Sequence, residues 1–206
     1  MEIDVVDYSL PRPKIFEYSS ELDMIHKTGL SLIFACIIGI LAQIRFYLPF
    51  TPVPITGQTF GILLGAVILG KTWGGVSACM YVGIGAAGVP WFSGWTGGIG
   101  TLTGATGGYL LGFIAASLFV GYIVDRYSSS RNIYGMLGIL FFANFVLIYG
   151  IGLTHLYLWM SVLQGSSVNI WNLLLVGAAP FIVGDTVKIL FTTGVANWLT
   201  PKHVKS

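Results

Sequence analysis

Four stretches of this chain contain no Asp, Glu, Lys or Arg: residues 29–44, 46–70, 72–124 and 132–184. A lipid bilayer core takes about 20 consecutive apolar residues per crossing helix. A chain with runs this long has few ways to fold in water. The composition agrees. Hydrophobic residues make up 55% and charged residues 9%, against about 25% charged in soluble domains. Mean hydropathy is +0.82. The expectation is an all-α, polytopic membrane protein, which excludes an ordinary water-soluble enzyme. A nucleic-acid partner is excluded too: the net charge is +2, with no basic patch interleaved with aromatics.

The charges lie at the ends and between the runs. Six of the eight acids, Glu2, Asp4, Asp7, Glu17, Glu21 and Asp23, fall in the first 23 residues. Residues 1–27 read as a polar cytoplasmic extension, too acidic for a signal peptide. Residues 28–200 read as a membrane domain and 201–206 as a cytoplasmic tail. Turn signals divide the membrane domain into six transmembrane helices, at about 28–48, 56–69, 73–87, 107–124, 134–160 and 180–199. The second and third are short for spanning. With both termini in the cytoplasm, the inner segments hold Arg12, Lys14, Lys27, Lys71, Arg126, Arg131, Lys202 and Lys205. The outer loops, 49–55, 88–106 and 161–179, hold with their borders only Arg45. That asymmetry obeys the positive-inside rule.

Asp185 and Lys188 are the sharpest functional signal. Each is unfavourable in mid-membrane by about 2.5–3.5 kcal/mol on insertion scales, and intramembrane ionisable groups mark ligand or ion paths. Three residues apart, they share a helix face. If Pro180 opens the last helix, they lie about 8 and 12 Å below its outer end. An ion pair that merely positions the helix is the plainer reading. The loop 88–109 is the second signal. Its glycines, Gly97 and Gly98 among them, let backbone approach a ligand, and Trp91, Phe92 and Tyr109 supply apolar faces. An interfacial aromatic belt would look similar. The third is Thr51-Pro52-Val53-Pro54-Ile55-Thr56-Gly57-Gln58-Thr59, a stiffened turn that can serve as a lid, with Gln58 at the helix mouth. Asn144 and Tyr149 are weaker polar candidates. In the first helix, Ser31, Ala35 and Gly39 form a small-residue stripe that suits close helix packing, inside the protein or against another subunit.

Other patterns carry less. Cys36 and Cys79 have no metal or disulfide spacing. Residues 83–88 match a dinucleotide fingerprint by letters but follow no strand and precede no suitably spaced acid. His155 stands alone and suits packing or one hydrogen bond. No nucleophile–base set is apparent, and no phosphate-binding loop that could draw on ATP.

Taken together, the segments 51–59, 85–94 (GAAGVPWFSG), 103–113 (TGATGGYLLGF), 148–153 (IYGIGL) and 180–188 (PFIVGDTVK) resemble the BioY family, the biotin-binding S components of energy-coupling-factor (ECF) transporters. The resemblance spans about residues 28–200. Two places depart from it: Ala105 stands where the family has proline, and Thr154-His155 where it has Pro-Trp. The resemblance implies the six-helix S-component fold in the cell (inner) membrane and capture of biotin from outside, with biotin as cargo and no cofactor. It implies as partners a transmembrane coupling subunit and two ATPase subunits, with Ser31, Ala35 and Gly39 as the contact to the coupling subunit. Biotin's ureido group carries two N–H donors and a carbonyl. Asp185 would accept from the former, Lys188 would donate to the latter or fix Asp185, and Trp91, Phe92 and Tyr109 would line the ring. The competing reading is a stand-alone or ion-coupled carrier that uses the Asp185–Lys188 pair. A single embedded acid is a thin relay for that.

Overall fold

A computed structural model describes residues 23–165 and 167–199. The expected extension up to residue 22 and the tail from 200 onward lie outside the described residues. The chain is almost wholly helical. Helix α1 is Met24–Leu41, so it begins four residues before the boundary expected at 28. Then follow a two-residue hairpin, β1 Arg45–Phe46 paired with β2 Ile55–Thr56, and helix α2, Gln58–Ala86. After a short helix α3, Ile99–Thr103, come α4, Gly107–Arg126, and α5, Ile133–Leu163. The chain closes with α6, Ile170–Gly177, a 3-10 turn at Ala179–Phe181, and α7, Ile182–Leu199.

Two of these differ from expectation. The first helix stops at Leu41 rather than near 48, because residues 42–57 turn back into the hairpin that carries the proline-rich segment. Before Pro49, only Gln43 and Arg45 mark the break in the sequence. The segment 170–177, expected as loop, is a helix of about two turns capped by Asn169, whose side chain accepts from Trp171 N. The expected second and third helices are the two arms of α2. Gly70 breaks the helix at φ 72, in the left-handed region that favours glycine. A Cβ placed on Gly74 would lie 2.9 Å from Ala66 Cα. In a straight helix those residues stand about 12 Å apart, so the arms fold back on each other. At about 1.5 Å per residue the arms 58–69 and 71–86 reach ~18 and ~24 Å, less than the ~30 Å hydrocarbon core. Among the described residues the long helices are therefore six: α1, the two arms, α4, α5 and α7.

The core forms where the arms of α2 meet α4, around Leu63, Ala66, Val67, Ala78, Ala116 and Val120. Small residues permit it: a Cβ on Gly121 would press on the backbone of Gly70 and Lys71. At this end the backbone N–H of Lys71 donates to Asp125 Oδ2 at 2.8 Å, so the acid at the end of α4 caps the second arm. Exposed faces are apolar, with Ile33, Val183, Val187 and Phe191 among the open side chains. In water such a surface would aggregate; in lipid it is the outer face of a bundle.

The stripe on α1 is covered by the protein itself. Ser31 Oγ donates to Trp73 O at 3.0 Å, Ala35 is fully buried, and a Cβ on Gly39 would meet Trp91 Cβ at 3.2 Å. Of the two placements open to Ser31, Ala35 and Gly39, the structure shows the packing inside the protein. What α1 presents to its surroundings is Ile33, Ile37 and Ile40, all exposed.

Candidate functional site

The site gathers at the end of the bundle opposite Lys71 and Asp125. There the hairpin, the connection from α2 to α4 and the start of α7 enclose a cavity of about 210 Å³. Pro52, Val53, Pro54 and Thr56 roof it, so the stiffened turn is a lid. Thr51 fastens the lid: its Oγ1 donates to Val176 O on α6 at 2.5 Å and accepts from Val53 N. Gln58 and Thr59 enter from the first turn of α2. Gln58 Oε1 accepts from Thr56 Oγ1 at 2.7 Å, and its Nε2 donates to Tyr81 Oη at 2.5 Å, which fixes the amide.

Asp185 and Lys188 stand in the cavity wall, one turn into α7. The Pro180 turn sets that depth, and Asp185 falls in the first turn, where the helix dipole favours an anion. Lys188 Nζ lies 2.7 Å from Asp185 Oδ1, with side-chain exposures of 19% and 7%. The other carboxylate oxygen, Oδ2, accepts from Tyr149 Oη at 2.8 Å and Asn144 Nδ2 at 3.1 Å. Three donors on one carboxylate hold it in a single orientation.

The two donors on α5 owe their position to irregular helix. Residues Ala143–Ile148 form wide π turns. Five residues apart on a regular helix, Asn144 and Tyr149 would point about 140° apart; a π turn brings residues at that spacing together, a device frequent at functional sites. Asn144 is fully buried and its Oδ1 meets no donor. Its amide must still point this way, since Oδ1 beside a carboxylate would repel it. Asn144 is not part of the cavity wall, so it acts through Asp185. Tyr149 does both: it lines the cavity and holds Asp185.

Apolar walls complete the pocket. Phe92 packs edge-on to Tyr81, with ring centroids 5.4 Å apart. Tyr109 presents its ring and anchors its hydroxyl to Gly177 O at 2.6 Å. Gly152 is needed there, because a Cβ would overlap the Tyr109 ring. Leu110, Phe113, Ile148 and Phe181 fill the rest.

Of the residues expected in the site, the structure brings Asp185, Lys188, Tyr109, Phe92, Gln58 and Tyr149 to one cavity. Trp91, Gly97 and Gly98 are elsewhere. The Trp91 indole turns toward α1 and donates to Tyr81 O at 2.9 Å. Gly97 packs against the backbone of Val89, and Gly98, at φ 87, donates to Gly85 O. Those glycines shape the loop, while the neighbours Ser93, Thr96 and Thr101 face the cavity. These hydroxyl residues, with Tyr47 and Thr106, were missed; only their place in a loop rich in threonine pointed to them. His155 makes the single bond expected of it, Nε2 to Gly104 O at 3.0 Å.

Fold and cavity together define a multi-pass membrane protein with a small, mostly apolar pocket closed by a loop at one end and anchored by one ion pair. The comparisons give the class a family. The BioY family model matches residues 16–203, and the chain belongs to that family. It is 50% identical over 140 residues to a probable biotin transporter BioY of Methanothermobacter thermautotrophicus, covering 68% of this chain and 89% of that one. It is 33% identical over 164 residues to the biotin transporter BioY of Thermotoga maritima, covering 80% and 89%. The fold matches a crystal structure of the S-component for biotin from an ECF-type ABC transporter. The TM-score is 0.74 at 24% identity, over 85% of this chain and 90% of that one. The six-helix arrangement is thus the S-component fold.

Proposed function

We propose that this chain captures biotin at the lid end and serves its uptake as the substrate-binding subunit of an ECF-type transporter. The observation that carries the reading is a buried ion pair, internally neutralised, in the wall of a mostly apolar cavity under the lid. Such a site favours an uncharged polar head on an apolar ring. Asp185 Oδ1 accepts a ureido N–H, and Lys188 holds Asp185 while its remaining donors reach the ureido carbonyl. Phe92 and Tyr109 flank the rings, and Gln58 borders the head. The relatives named as biotin transporters support this choice of ligand.

The positive-inside bias supports an orientation with the lid outward and both termini cytoplasmic, residues 28–200 forming the membrane domain between them. The membrane is then the cell membrane. A coupling subunit and two ATPases are the partners in this reading. With the small-residue stripe covered, α1 offers the coupling subunit Ile33, Ile37 and Ile40. An ion-coupled carrier gains no support from the geometry. Among the described residues Asp185 is the only acid in the spans besides Asp125 at the end of α4, and three donors already hold it.

Radiolabelled biotin binding to the detergent-purified chain tests the reading, with desthiobiotin and other vitamins as competitors. Saturable binding displaced by desthiobiotin and not by unrelated vitamins is expected. A folded chain that retains no biotin refutes it.

A further inference from the structure

We infer that Arg45 receives the ligand's carboxylate at the mouth of the cavity; this rests on the reading of biotin as the ligand. Biotin has two unlike ends, a neutral ureido head and an acid that is ionised at neutral pH. The Asp185–Lys188 pair suits the first and not the second. Lys188's charge is already met by Asp185 at 2.7 Å, so a second carboxylate there would confront the first. The anionic end therefore needs another cation.

Among the described residues, Lys71, Arg126 and Arg131 sit at the opposite end of the bundle, beside Asp125, and Lys27 lies in the first turn of α1, away from the hairpin. Arg45 sits at the lid end. Its guanidinium carbon lies 5.1 Å from the centre of the Tyr47 ring. Tyr47 lines the cavity and is also 61% exposed, so it marks the opening. On its other side the guanidinium rests in a notch left by Gly94: a Cβ there would overlap Arg45 Nη1. Gly94 holds φ 86, and its neighbour Ser93 is a wall residue. Arg45 is thus seated between two parts of the rim, half-buried. No carboxylate lies within ion-pair distance of it among the described residues. A planar guanidinium offers paired N–H donors that match a carboxylate. A ligand whose head reaches the ion pair directs its acid chain outward, past Tyr47, to that group.

Affinity for biotin and for its neutral amide, biotinamide, should be measured by calorimetry on the purified full chain and on the Arg45→Gln and Arg45→Lys variants. The wild type should prefer biotin to biotinamide by about tenfold, the scale of one charge-assisted hydrogen bond. Arg45→Gln should lose about that factor for biotin and nothing for biotinamide. Arg45→Lys should recover part of it. Added salt should weaken biotin binding and leave biotinamide binding unchanged. Equal affinity of the wild type for both ligands, or an equal loss of both in Arg45→Gln, overturns the role of Arg45 and leaves biotin as the ligand. A folded wild-type chain that binds neither overturns both.

Discussion

The Asp185–Lys188 pair can be dissected by a mutant cycle in which the double variant loses less stability than either single variant. Both side chains are mostly buried, 7% and 19% exposed. Asp185→Asn leaves the Lys188 ammonium facing an amide. Lys188→Met leaves the carboxylate with only Tyr149 and Asn144. Removing one member of a buried pair costs about 3–5 kcal/mol, because the other charge stays buried without compensation. The exposure of Lys188 puts each single variant near the lower figure, about 3 kcal/mol. For a chain of this size that is ~6–12 °C in Tm. In the double variant no charge is left. Asn at 185 still accepts from Tyr149 and Asn144, and Met fills the lysine's path. Its loss should stay within about 1 kcal/mol. Thermal unfolding of the four proteins in one detergent reads the cycle. A double variant whose Tm loss equals the sum of the two single losses would refute coupling through the ion pair. Biotin binding should fall in all three variants, since stability and recognition part company at this site.

Three further outcomes are expected. Gly70→Ala should lower Tm by several degrees, because its φ is 72 and a Cβ there would lie 2.6 Å from the Asp125 oxygens; strain of this kind costs about 1–3 kcal/mol, and an unchanged Tm would deny the fold-back of α2. Ala35→Leu should destabilise the isolated chain by about 1–3 kcal/mol through overpacking, whereas Ile40→Ala should not, and thermal scans without any partner tell them apart. Thr51→Val should speed biotin release by about fivefold with little change in Tm, since it removes one hydrogen bond of about 1 kcal/mol between lid and α6; stopped-flow dissociation reads this.

Much of the fold was legible because lipid leaves little choice. The charge-free runs could only be spans, and the lone charges within them could only be site or strut. Asp185 and Lys188 stood out for that reason, and they lie in the cavity wall. The proline-rich turn was legible as a lid because Pro52 and Pro54 fix backbone wherever they stand. What stayed hidden depends on the path of the chain. Residues 42–48, with only Gln43 and Arg45 polar, hold one arm of a hairpin, in which Arg45 and Phe46 pair with residues 55–56. The wide turns at Ala143–Ile148 leave no periodic trace, so the joint reach of Asn144 and Tyr149 to Asp185 was out of view. In the loop 88–106 aromatics drew attention to Trp91, but the glycines let the chain double back, and Thr96 and Thr101 face inward instead. The stripe on α1 was read with two possible partners. Only contacts to Trp73 and Trp91 decide that it serves the protein's own packing.

The measurement that bears most directly on the account is the calorimetric affinity of purified Asp185→Asn for biotin, set beside wild type and Tyr149→Phe under the same conditions. One charge-assisted bond lost from a buried site costs about 1.5–3 kcal/mol. Asp185→Asn should therefore bind at least tenfold more weakly, and Tyr149→Phe, which leaves the charge and frees one lone pair, should fall less. An affinity for biotin that is unchanged when the carboxylate is gone would contradict the account at its centre.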